Sequence, residues 1–222
     1  MSNNLDKYFI KNPETPAYVK DDDPDKWEKL KANSKKRGDK ALEQIMKPPV
    51  FWIDVFNYVN EFFELLKTHN SDKKNTNQMK YIELDNRMQP VLENGILAFN
   101  CYWTDCVYDQ KLRRYTYYDH KYDIIKSEFD LCSPNDIIWL KFTTDGYLGV
   151  VASGFDINFS YECTSGRLVN SVGKKWYEKC VLIFPLTKDI LSVHNKKDIE
   201  TAVGNFLIDK GVPVIDFYSH GY

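Results

Sequence analysis

The stretch IIWLKFTTDGYLGVVAS, residues 137–153, decides the fold. Two runs rich in apolar, β-branched and aromatic residues, 137–143 and 147–153, flank Thr144-Asp145-Gly146. Asp-Gly supplies the positive φ angles of a tight turn, so the segment is predicted to be a β-hairpin. Working outward towards the C-terminus, DINFSYE (156–162) and YEKCVLIFPL (177–186) read as a second strand pair, joined through loops at Gly166 and Gly173. A helix follows around Asp198 to Lys210 with Gly211 where a C-cap belongs, and VPVIDFY (212–218) makes a last short strand.

Towards the N-terminus, GILAFNCYW and RRYTYY also read as strands. Residues 79–92 are expected to form a helix broken before Pro90, and HNSDKKNTNQ (69–78) an exposed loop. Trp52, Val55, Phe56, Val59, Phe62, Phe63 and Leu66 recur at steps of three and four, which marks one helical face. Phe51, Ile53, Tyr58 and Leu65 lie on the other sides, so this core helix is expected to be covered on more than one face. A preceding helix begins near Asp23, a capping residue, with Pro24 in its first turn; Gly38 weakens its middle and Pro48-Pro49 end it. Helices first and hairpin strands afterwards define an α+β class: a helical N-terminal section on a mainly antiparallel sheet, with a C-terminal helix and a short last strand. Residues 1–23 are expected to be a loosely packed N-terminal arm, and 24–222 a single domain.

Composition narrows function by exclusion. The 222 residues are 43% hydrophobic and 28% charged, as in an ordinary globular chain, with 30 basic and 32 acidic residues. A net charge of −2 makes neither nucleic acid nor an anionic membrane a default partner. The start of the chain lacks the apolar stretch of a secretory signal, and no run reaches the ~18 apolar residues of a membrane span, so a cytoplasmic location is expected. Five cysteines, an odd number at irregular spacing, read as reduced, mostly buried thiols with no metal and no cofactor.

Familiar catalytic signatures are missing. GRLVNSVGKK places six residues between its glycines where a phosphate loop has four, and reads as a hairpin loop with a solvated basic tip. No serine has the glycine frame of a nucleophile elbow. Cys101 and Cys106 stand at a spacing barely compatible with a zinc knuckle, and DDDPD lacks the glycine and glutamate of a calcium loop. Two groupings retain catalytic interest. Asp119, Asp123 and Glu128 near His120 and Lys121 have the composition of a metal-dependent nuclease or phosphodiesterase site, two carboxylates to hold magnesium and a lysine to steady the attacking water. Asp216 with His220 near the C-terminus has the composition of an acid–base pair.

The segment from Tyr102 to Tyr122 is the most unusual in composition, with six tyrosines interleaved with Lys111, Arg113, Arg114 and Lys121. Tyr and Arg dominate protein–protein hot spots, because a stiff amphipathic ring buries much area at low entropic cost. Tyr108, Arg113, Arg114, Tyr115, Tyr117 and Tyr118 are therefore the candidate binding residues, set against the simpler reading of tyrosines filling a sheet face. Stacking of single-stranded nucleic acid is disfavoured by the balanced charge. Lys35-Lys36-Arg37 reads as a solvated helix face or an inter-helix link. The expected function is stoichiometric protein binding, of the kind seen in immunity or antitoxin-like inhibitors. A metal-dependent phosphodiesterase and a structural component of a larger assembly are the alternatives.

Overall fold

The computed structural model describes residues 5–10, 16, 18–69, 82–84, 90–92, 97–99, 106–109, 114–117, 136–154 and 161–216. A 3-10 turn (Leu5–Tyr8) precedes helices α1 (Lys26–Ile45) and α2 (Trp52–His69). Strands β1 (Ile82–Leu84), β2 (Pro90–Leu92), β3 (Leu97–Phe99), β4 (Cys106–Asp109), β5 (Arg114–Tyr117), β6 (Ile137–Thr143) and β7 (Leu148–Ser153) come next. Helix α3 (Thr164–Ser171), strand β8 (Trp176–Pro185), helices α4 (Lys188–Val193) and α5 (Lys196–Asp209), and strand β9 (Val214–Asp216) complete the order.

Seven strands form one sheet in the order β2-β1-β3-β8-β6-β7-β9, and β4-β5 form a separate antiparallel ribbon. The sheet is mainly antiparallel, with β7–β9 and β1–β3 as its parallel pairs. Helices cover both faces. Ile138, Leu140 and Phe142 of β6 join α2 and α5 in one core, whereas Ile137 and Trp139 join α1 and α3 in the other. Burial on both faces is why β6 is apolar at nearly every position rather than alternating.

The hairpin turns as expected. Thr143 donates its N–H to Tyr147 across a loop in which Gly146 takes a φ of 89°, where a side chain would be strained. Lys174 bonds Asp145 at 2.5 Å and Thr144 donates to the Lys175 carbonyl, tying the hairpin tip to the α3–β8 loop. Burial pushes the Asp145 carboxyl up, but the bonds from Lys174 and Thr143 outweigh it and hold the group below its usual range. Helix α5 ends in a Schellman motif. Gly211 (φ 82°) donates to Ile208 and Val212 to Leu207, closing the helix where the sequence placed its cap.

Several expectations are corrected. Residues 82–84, read as part of a helix, and 90–92, beyond its expected break, are strands; Pro90 is the first residue of edge strand β2, a position that tolerates proline. The loop expected at Gly166 is helix α3, capped by Cys163, whose Sγ accepts the Gly166 N–H at 3.3 Å. Among the described residues strand β8 pairs with β3 and β6; of 156–162, expected to pair with it, 161 and 162 are a turn and the rest lie outside the described residues. Helix α1 starts at Lys26, after Asp25; Asp23 instead accepts the Asp25 N–H and binds Lys29. Within the segment expected to pack loosely, the 3-10 turn is docked. Leu5 is 2% exposed, Tyr8 packs edge-on against Phe206, and Asn205 donates to the carbonyls of Tyr8 and Ile10.

Candidate functional site

Helix α1 lays a stripe of mixed polarity on the sheet. Leu30, Asn33, Arg37 and Ala41 recur at steps of three and four, and Gly38 beside them has no side chain. Helix α3 is only eight residues long. Together they underfill the space above β6 and β7, leaving a cavity of about 770 Å³. Trp139, Lys141 and Val150 form its floor, Asn33, Arg37 and Gly38 one wall, and Thr164, Ser165 and Arg167 the opposite wall, with Glu200 of α5 completing the lining.

The floor is electrostatically unusual. Register places Val181, Lys141, Val150 and Asp216 in one row across β8, β6, β7 and β9, so Lys141 and Asp216 share the cavity-side face with their backbones about 10 Å apart. Lys141 is 1% exposed, with its ammonium 4.3 Å from the ring centre of Trp176 and 5.1 Å from that of Trp139. Two aromatic faces replace part of the hydration a buried cation loses. Fully buried Asp216 meets Arg37 at 2.6 Å, and this ion pair anchors α1 to edge strand β9.

The ladder is disrupted on both sides of Lys141. Lys141 pairs with Val150 but Phe142 with Leu148, so Gly149 is the extra residue of a β-bulge; the β6–β8 register also shifts between Lys141 and Thr143. A Cβ on Gly149 would lie 2.2 Å from the Trp176 ring. Gly149 is thus what allows Trp176 to lie flat on β7 and reach Lys141.

A second feature is an apolar ridge. Leu42, Met46, Phe51, Trp52 and Ile53 are 44–86% exposed and fall within twelve residues of chain. Leu42 and Met46 lie one helical turn apart, Pro48-Pro49 stop α1, and Phe51 opens α2 by accepting the N–H groups of Asp54 and Val55. The Tyr147 hydroxyl, 2.9 Å from the carbonyls of both Ile45 and Lys47, fixes this junction from beneath. Trp52, expected on the core face of α2, is exposed with the rest of the first turn, and burial begins at Val55.

The residues singled out from sequence are distributed differently. Tyr108 pairs with Tyr115, Cys106 with Tyr117 and Asp109 with Arg114. Strand alternation therefore puts positions 108, 115 and 117 on one face of the ribbon and 114 on the other. Arg113, Tyr118, Asp119, His120, Lys121, Asp123, Glu128 and His220 lie outside the described residues. Asp216, read as part of an acid–base pair, is the buried partner of Arg37; Arg37, read as part of a solvated cluster, is buried while Lys35 and Lys36 are exposed. Lys141 and Glu200 belong to no motif in the sequence, and Arg167 falls in the stretch read as a hairpin loop with a solvated basic tip. A lysine inside the otherwise apolar IIWLKFT was the available signal for the first.

Among the described residues no histidine lines the cavity beside Cys163, and no group of three His, Cys, Asp or Glu residues is placed to hold a metal ion. No described helix is long and apolar enough to cross a membrane. No protein-family model, curated protein or solved structure matches the chain.

Proposed function

We propose that the protein is a binding module that acts by stoichiometric association with another protein, as immunity and antitoxin-like inhibitors do. The observation that carries the reading is the ridge at the α1–α2 junction. Five large apolar side chains are held in water by a junction pinned to the hairpin through Tyr147. Large apolar side chains exposed around one junction mark a surface that a partner covers, and a junction whose backbone is already held needs less ordering on binding. The Tyr and Arg positions of the β4–β5 ribbon remain a second candidate contact, with the residue types that dominate protein interfaces.

The test is reconstitution from purified components of any complex captured from the host. Met46→Asp and Phe51→Asp are expected to weaken it by at least tenfold, roughly the ~1.4 kcal/mol that one lost anchor accounts for. Both positions are exposed, so the unfolding midpoint should hold. Arg114→Ala and Tyr117→Ala test the ribbon in the same assay. Affinity unchanged by all four substitutions would remove the proposal, as would a chain that forms no complex. Concentration-dependent self-association through the same ridge would instead favour a component of a larger assembly.

A further inference from the structure

We propose that the cavity between α1, α3 and the sheet is a binding site for a small oxyanion, a phosphate or carboxylate group on a compact ligand. Its volume of about 770 Å³ falls within the range of small-molecule sites, roughly 300–1,000 Å³. Among the described lining residues, three are cations, of which Arg37 is paired with Asp216 while Lys141 and Arg167 complete the set, and one is a carboxylate, Glu200. An arginine offers the planar fork that matches phosphate and carboxylate oxygens, and a lysine adds a point charge.

Two features argue that these charges serve more than packing. A buried cation contributes less to stability than an apolar side chain of similar size, yet Lys141 occupies a strand that is apolar at every other position but Thr143. The local ladder is also built around it. The Gly149 bulge admits the Trp176 ring that supports the Lys141 ammonium, and bulges recur where a strand must re-aim a side chain at a site. Thr164 and Ser165 bring hydroxyls and the positive end of α3 to the same space, and Trp139 adds a flat apolar wall for the ligand body.

Isothermal titration of the full chain at low ionic strength, with adenosine monophosphate, pyrophosphate and citrate as separate probes, tests this directly. Saturable one-to-one binding of either phosphate compound with citrate silent assigns a phosphate ligand; the reverse assigns a carboxylate. Arg167→Gln, on the exposed side of α3, and Lys141→Met, an apolar replacement of similar length, should each weaken binding by about threefold or more, since each removes a charge-assisted contact. No saturable binding of any probe, or an affinity that both variants leave unchanged, overturns the assignment. Neither variant touches the ridge, so the outcome is independent of the protein-binding reading.

Discussion

At the residue scale, two glycines separate helix propensity from packing. Gly38 sits in the middle of α1, and a Cβ built there meets nothing within 4 Å because it points into the cavity. Gly38→Ala should therefore stabilise the protein by about 0.5–1 kcal/mol, by removing backbone freedom from the unfolded chain without strain. A thermal melt would expose the error if the midpoint fell instead. Gly149 is the opposite case. Its Cβ would strike the ring of Trp176, which is buried and backed by Lys141. Gly149→Ala should cost about 1–3 kcal/mol through overpacking, read as a lower urea midpoint. An unchanged midpoint would mean that the ring swings aside without loss. In sequence the two are indistinguishable, because propensity penalises both while only the neighbouring atoms decide the sign.

At the scale of elements, charged pairs dock pieces whose apolar contact is thin. Helix α1 buries only Arg37 and Ala41 fully and relies on Arg37 to reach Asp216 of β9. Breaking one side of a buried pair costs about 3–5 kcal/mol, so Arg37→Met should destabilise by that order in urea denaturation. Adding Asp216→Leu should recover part of the loss. A single variant within about 1 kcal/mol of wild type would contradict the docking role. The 3-10 turn is tied to the end of α5 by Asp209, which accepts from Tyr8 and binds Lys7 at 3.1 Å. These bonds, the one from Tyr8 foremost and then that from Lys7, hold the Asp209 carboxyl below its usual value of 3.8. A carboxylate depressed in the folded state contributes stability that is present above its ordinary value and lost as pH falls through the folded one. Hydrogen exchange at residues 5–8 should accordingly rise as pH drops below about 4, after correction for the intrinsic rate. Asp209→Asn should flatten that step; an identical profile in the variant would show that other contacts hold the turn.

At the scale of the whole molecule, the seven-stranded sheet carries two helical layers, and its central strands serve both cores. Phe184 of β8 stacks against Phe56 and Phe63 of α2, with ring centres 6.4 and 6.0 Å apart. Phe184→Ala should therefore remove about 3–5 kcal/mol and lower the urea midpoint of the whole domain. A loss confined to α2, seen as separate transitions by circular dichroism and tryptophan fluorescence, would contradict this shared core. Much of this architecture was legible in local chemistry. The 137–153 hairpin, the α2 stripe from Val55 to Leu66 and the Gly211 cap each follow from neighbours along the chain: a turn dipeptide, a helical period, a residue that accepts positive φ. Where a segment's state depended on distant partners, local reading failed. Residues 82–84 and 90–92 become strands because an edge of the sheet lies beside them, and 164–171 becomes a helix because the face opposite α2 needed covering. The site belongs to that second group. Arg37, Lys141, Arg167 and Asp216 are separated by up to 179 positions, and no spacing in the sequence unites them. Strand register and the docking of α1 on β9 bring them together, because proximity in a folded chain is set by which surfaces must be buried rather than by order along it.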